Sequence, residues 1–247
     1  MAHIIHDFTY DGTLEGLLCV YLRCISMKVR PSDIKPDFMI RGTPFEYRYM
    51  FVRSDMALAD RFYRYMGQCA SADVQQLIID CFLTSLPRME LDLYELIRRS
   101  ILFGAGVAED YKDETLHRIQ MAIRDLYREA HSLIRGVDFV DENGVSVASL
   151  NPRNCVLPII KNHILNDPEH DDILAYDRRH SLLLMRNGCE DDIIDTRRLP
   201  VLAVSDPRQI YEAFWPYVIR QKGTLGGNLF GIGTRRADSF DPLWRIA

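Results

Sequence analysis

One stretch constrains this chain more than any other. From Glu114 to Arg135 the sequence reads ETLHRIQMAIRDLYREAHSLIR, with no Gly or Pro. Leu116, Ile119, Ile123, Leu126, Tyr127, Ala130, Leu133 and Ile134 recur at steps of three and four, so they share one face of a helix. Such a helix is roughly 33 Å long and needs apolar partners along its whole length. At 100° per residue, His117, Gln120, Arg124, Arg128, His131 and Arg135 fall on a strip beside the apolar face. That strip carries three guanidiniums, two imidazoles and no carboxylate. Asp125 and Glu129 fall on the other flank, pointing away from the strip. The helix therefore has a core side and a cationic edge, and the edge is the first place to look for function.

Composition narrows the class. The chain has 247 residues, 47% hydrophobic and 26% charged, which suits a soluble globular fold. A net charge of −5 excludes a wholly basic nucleic-acid binder. The charge is uneven: nine acidic residues face three arginines between Asp167 and Asp195, whereas Trp215 to Ala247 holds five cationic residues against two acidic ones. No apolar run approaches the roughly 18 residues of a bilayer span, so no membrane association is expected. The first residues lack a basic start followed by an apolar run, and a cytoplasmic protein is expected. The six cysteines form no Cys-x-x-Cys pair. Cys19, Cys24 and Cys81 lie in apolar helical patterns, where a thiol acts as a small hydrophobe. No metal site and no cofactor is expected from their spacing.

Read in order, His3 to Phe8 predicts a strand and Asp11-Gly12 a turn, with Thr13 capping a helix through Ile25. Pro31 and Pro36 predict a loop, and Tyr47 to Arg53 a weak strand. Helices follow from Ser54 or Asp55 to Met66, from Asp73 to Ser85, and from Glu90 to Phe103 before Gly104. After Gly136 the apolar period falls to two. Val137, Phe139, Val145 and Val147 flank Asn143-Gly144, a hairpin signal closed by Asn151-Pro152. Val156 to Leu165 predicts a helix with Asn154 as cap. Asp172–Tyr176 and Leu182–Met185 predict a second hairpin turning near Arg178-Arg179-His180. Asp206-Pro207 opens a last helix with Ile210, Phe214, Tyr217 and Val218 on its apolar face. The expectation is an α+β fold, a helix-rich first half packed with antiparallel hairpins from the second half. Residues 1–222 form one domain and 223–247 a glycine-rich tail.

These residues, in this order, resemble a family of uncharacterised bacterial proteins described as DNA-metabolism proteins. The matching features are Tyr10-Asp11-Gly12-Thr13-Leu14-Glu15-Gly16-Leu17-Leu18 and the helix end Phe82-Leu83-x-x-x-Pro87. Next come Arg128-Glu129-Ala130-His131 with the Phe139 strand, then Asn151-Pro152, Val156-Leu157-Pro158, His163 and Asp177-Arg178-Arg179. The tail departs from the pattern, since Gly226-Gly227-Asn228 and Asp241-Pro242-Leu243-Trp244 only partly match the family's ending. Members are encoded beside a radical SAM protein assigned to DNA modification or repair. A related segment stands at the N-terminus of some uracil-DNA glycosylase-like proteins. The resemblance implies a DNA-metabolism association and a radical SAM partner.

Each candidate site has a plainer alternative. Arg124, Arg128 and Arg135 offer planar donor forks for phosphate, or pair with carboxylates on a solvated face. His117 and His131 join the same phosphate- or nucleic-acid-binding edge. His131 is the one catalytic candidate, as an acid or base; its alternative is a hydrogen bond that holds the hairpin. Asp7, Asp11 and Glu15 hint at a magnesium site, but a turn and a helix first turn explain them as well. His163, His170, Asp171 and Asp172 match no local zinc spacing and read as a solvated loop. Gly226, Gly227, Gly231 and Gly233 lack the Gly-Lys-Ser/Thr of a phosphate loop. The Tyr and Phe residues lie mostly at core spacing, so no base-stacking platform is expected. Three functions remain: an accessory protein binding nucleic acid or a radical SAM partner, a nucleic-acid-processing enzyme using His131 with a carboxylate, and a structural interaction module. The chain lacks Cys-x-x-x-Cys-x-x-Cys and is not itself an ordinary radical SAM enzyme.

Overall fold

The structure is a computed structural model that describes residues 6–109, 113–142, 144–166, 172–187 and 190–198. Among these lie seven α-helices and two sheets, an α+β fold. The chain divides between Ile123 and Arg124 into two compact units. The 206–218 helix, His170, Asp171, Cys189 and the 223–247 tail all lie outside the described residues.

The first unit is built on three short parallel strands, β1 (His6–Tyr10), β2 (Pro31–Pro36) and β3 (Tyr49–Phe51), in the order β2-β1-β3. The loop expected at Pro31 and Pro36 is corrected: they are the first and last residues of β2. An edge strand tolerates proline at its ends because those positions need not donate to the ladder. Helix α1 (Leu14–Met27) connects β1 to β2, the crossover that parallel pairing demands. The Asp11-Gly12-Thr13 turn leads into it. Gly12 has φ +81°, and Thr13 Oγ1 accepts from Gly16 N at 3.0 Å, as the capping pattern predicts. Asp11 Oδ1 in turn accepts from Thr13 N at 3.1 Å and Thr13 Oγ1 at 2.6 Å.

A four-residue helix α2 (Asp37–Ile40) follows β2. Helices α3 (Met56–Cys69), α4 (Ala72–Phe82) and α5 (Met89–Phe103) complete the unit's frame. Asp55 caps α3 and Ser71 caps α4. Gly104, at φ +75°, ends α5 as expected. The core joins Phe8, Leu17, Leu18, Tyr21, Phe62, Ile78, Leu93 and Ile97 with Leu116 and Ile119, the first part of the long helix α6 (Glu114–Ile134). Tyr21 donates to Glu90 O at 2.7 Å and Tyr94 to Val29 O at 3.1 Å, so both buried phenols are satisfied. Cys19, Cys24 and Cys81 are buried free thiols. Burial pushes the pKa of Cys24 and of Cys81 up to about 12.

The second unit is a five-stranded sheet in the order β4-β5-β6-β7-β8, made of β4 (Val140–Glu142), β5 (Val145–Leu150), β6 (Asp172–Asp177), β7 (Leu182–Asn187) and β8 (Glu190–Asp195). Both expected hairpins are present, β4–β5 and β6–β7. Beyond the two hairpins, β5 and β6 pair in parallel, through the crossover helix α7 (Leu157–Leu165). Hairpin signals are local, whereas parallel pairing across a helix leaves no turn signature. Strand β8 escapes sequence reading because EDDIID is mostly acidic, although it pairs with β7 over six positions. Asn154 does not cap α7, whose N-cap is Val156 without a side-chain bond. Val145, Leu174, Leu183 and Met185 form a core cluster on one face of the sheet.

Two substitutions test the β1–α1 turn. A Cβ on Gly16 would stand 2.3 Å from Asp11 Oδ1 and 2.7 Å from Ser54 Oγ. Thr13→Ala should lower stability by about 1 kcal/mol in urea unfolding. Gly16→Ala should also destabilise, although helix propensity alone would favour it by roughly 1 kcal/mol. A raised unfolding midpoint for Gly16→Ala would show that the turn is not packed this way.

Candidate nucleic-acid interface

Helix α6 begins at Asp113, whose Oδ1 accepts from Leu116 N at 2.7 Å, and runs unbroken for 21 residues. Leu116, Ile119, Leu126 and Ala130 are buried, as the apolar periodicity requires. The cationic strip is exposed at His117, Arg124, Arg128, His131 and Arg135. His117 belongs to the first unit; Arg124, Arg128, His131 and Arg135 belong to the second. Four helical steps separate Arg124 from Arg128 by a rise of about 6 Å, and Arg135 lies in the turn just past Ile134, the last residue of α6.

The two acidic residues of the flank behave differently. Asp125 does not point away: its Oδ1 lies 3.5 Å from Arg128 Nη1, with both side chains more than half exposed (53% and 60%). A long ion pair in that setting contributes little and yields readily to a better anion. Glu129 is committed inward. Its Oε1 accepts from Arg153 N at 2.6 Å, and its Oε2 accepts from Asn154 N and Asn154 Nδ2, both at 2.8 Å. The carboxylate thus satisfies two backbone donors of the β5–α7 loop and the amide of buried Asn154.

A second cationic group, which sequence reading misses, stands at the carboxyl ends of β5 and β6. Asp177, the last residue of β6, is fully buried. Its Oδ1 accepts from Arg179 N at 3.0 Å and His180 N at 3.1 Å, and its Oδ2 meets His180 Nδ1 at 2.7 Å. Arg178 N donates to Leu150 O at 3.0 Å, which ties the β6–β7 turn to the end of β5. The carbonyl of Ser181, a residue at φ +57°, accepts from Thr196 N at 2.8 Å and from Thr196 Oγ1 at 3.0 Å, which ties the turn to the end of β8. Asp195 takes Arg197 in a two-pronged pair, with Nε and Nη2 both at 2.8 Å. Arg178 and Arg179 stay exposed and make no ion pair among the described residues. Half-buried Cys155 lies near this group. Desolvation first, then the Asp177 charge, push its thiol pKa upward. The Asp-Arg-Arg-His run is the available signal in the sequence, but its meaning depends on strand ends that only pairing brings together.

The carboxylates and histidines elsewhere are engaged or dispersed. Asp7 accepts from Ser32 Oγ at 2.5 Å and meets Arg48 at 3.4 Å, while Asp11 is committed to Thr13. Glu15 is buried in the first turn of α1. Among the described residues no three His, Cys, Asp or Glu side chains converge as metal ligands. His163 is exposed on α7 and lines a cleft of about 200 Å³ with Ile134, Val137, Phe139, Ile164 and Asn166. Phe139 thus lines a cleft. No helix of the described residues is long and apolar enough to cross a membrane.

Residues 87–245 match the model of the DUF4130 family, a domain of unknown function. The chain belongs to this family. No curated protein and no solved structure matches it. The family match covers α5, α6, the whole second sheet and the loops that hold both cationic groups.

Glu129 offers a direct test of the β5–α7 loop in this family member. Glu129→Ala leaves two backbone N–H groups and a buried amide without their acceptor. It should cost about 2–3 kcal/mol, read as a lower unfolding midpoint. Glu129→Gln, which keeps one acceptor oxygen, should cost less. Equal stability of Glu129→Ala and wild type would place the loop elsewhere.

Proposed function

We propose that this DUF4130 member is an accessory protein of DNA metabolism that binds nucleic acid and a radical SAM partner enzyme. One observation carries the nucleic-acid part. Arg124, Arg128 and His131 stand exposed along one face of α6 and Arg135 is exposed just past its end, while Glu129, on the other flank, is committed to the β5–α7 loop. An exposed row of guanidiniums at helical spacing suits a phosphate backbone, because each fork takes a phosphate oxygen pair and each neutralised phosphate releases a counterion. Arg178 and Arg179 add to the same sign of charge on the second unit. The partner part rests on the family resemblance and on the absence of a cluster-binding cysteine motif from the chain, which leaves the redox chemistry to another protein.

The distinguishing measurement is a salt titration of single- and double-stranded DNA binding. Arg124→Ala/Arg128→Ala should leave folding intact, since both residues lie off the apolar face. It should weaken binding and flatten the dependence of log K on log salt by about one unit for each phosphate no longer neutralised. Identical slopes for the double variant and wild type would make these arginines ordinary solvated side chains. For the partner, co-expression with the neighbouring radical SAM protein should give one co-eluting complex at low salt. Separate elution at micromolar concentration would exclude a stable one.

A further inference from the structure

We propose that the carboxyl ends of β5 and β6 form a phosphate-binding site centred on His180, Arg178 and Arg179. At the carboxyl ends of a parallel pair, loops converge and the backbone is no longer paired. Here β5 and β6 are the parallel pair, and α7 crosses between them. The β6–β7 turn at that end is held from three sides: by Asp177 beneath it, by Leu150 O through Arg178 N, and by Thr196 through Ser181 O. The site therefore needs little ordering when a ligand arrives, which removes much of the entropic cost of binding.

The carboxylates at this end are already engaged. Asp177 serves two backbone N–H groups and His180, and Asp195 serves Arg197. Glu129 serves the adjoining β5–α7 loop, which carries exposed Arg153. Arg178 and Arg179 have no such anion among the described residues and remain exposed. His180 supplies direction. An ionised Asp177 accepts only, so the 2.7 Å hydrogen bond sets a proton on Nδ1 and turns the Nε2 edge away from buried Asp177. The side chain keeps 24% exposure. In its protonated form the ring donates through Nε2 to a phosphate oxygen, between the Asp177 carboxylate and the bound anion. The guanidiniums of Arg178 and Arg179 take further oxygens. Asp177 is the positioning residue, since it reaches a ligand only through His180.

The ligand chemistry is a phosphate group, free or carried by a strand; the second source rests on the nucleic-acid reading above. The test records His180 imidazole resonances and affinity with three probes: inorganic phosphate, a 5′-phosphorylated single-stranded oligonucleotide, and the same oligonucleotide without its terminal phosphate. Saturable shifts of His180 with inorganic phosphate are expected. Arg178→Ala/Arg179→Ala, both exposed, should weaken phosphate binding at least about tenfold with folding preserved. Asp177→Asn should reduce the His180 shift more than a change in unfolding midpoint explains. A preference for the phosphorylated strand would identify a terminal phosphate as the source, and equal binding of both strands with the same Arg dependence would identify the backbone. Unmoved His180 resonances at millimolar phosphate, or a double variant that binds like wild type, would overturn the site. Phosphate binding without oligonucleotide binding would leave the site standing and remove the nucleic-acid reading. Oligonucleotide binding sensitive to Arg124 and Arg128 but not to Arg178 and Arg179 would do the reverse.

Discussion

A single carboxylate does much to organise the second unit. Glu129 leaves the helical face it shares with solvent-seeking neighbours and accepts three hydrogen bonds from the β5–α7 loop. Two of these donors are backbone N–H groups, and the third is the amide of buried Asn154. Without an acceptor the part-buried Asn154 donors would carry a desolvation penalty of order 1–3 kcal/mol. Because the loop joins the parallel pair β5 and β6 through α7, these bonds anchor the loop from which the crossover departs.

The same use of acids recurs at the carboxyl ends of the strands. Asp177 and Asp195 are buried, and both commit their oxygens to backbone donors and to one nearby side chain, His180 and Arg197 respectively. Buried carboxylates are tolerable when they are this well supplied with donors. The consequence lies on the surface. In a chain of net charge −5, the local balance at Arg178 and Arg179 is positive because the neighbouring acids point inward. Overall charge therefore says little about what this surface attracts, and the distribution of committed and uncommitted groups says much more.

The first unit follows a different plan. Its sheet is parallel on both sides of β1, and β1 is buried from Asp7 to Tyr10. Phe8 and Tyr10 belong to the helical core, whereas Asp7 and Thr9, on the alternate positions, face the other way along the pleat, where Asp7 meets Ser32 and Arg48. The Asp11-Gly12-Thr13 turn that leaves β1 is closely packed: Gly16 has no room for a side chain because Asp11 and Ser54 fill the space. Glycine at that position is thus a packing requirement of the turn rather than a source of flexibility.

What sequence alone decided here is local. Apolar spacing placed α6, α1 and α5 with their buried faces, and Thr13, Asp55 and Gly104 marked helix ends by the chemistry of capping. Two hairpins were legible from their turn residues, and the α+β class followed. The spacing of Arg124, Arg128 and His131 on α6 was legible as well, because helical geometry alone sets it. Tertiary structure decided the pairings that join distant segments: β1 with β2 and β3, β5 with β6, and acidic β8 with β7. Only those pairings bring Asp177, His180, Arg178 and Arg179 beside the end of β5 and the Asp195–Arg197 pair. Parallel pairing and long-range hydrogen bonds leave no periodic trace in a sequence, since their partners lie tens of residues apart and their energy depends on burial that the fold itself creates.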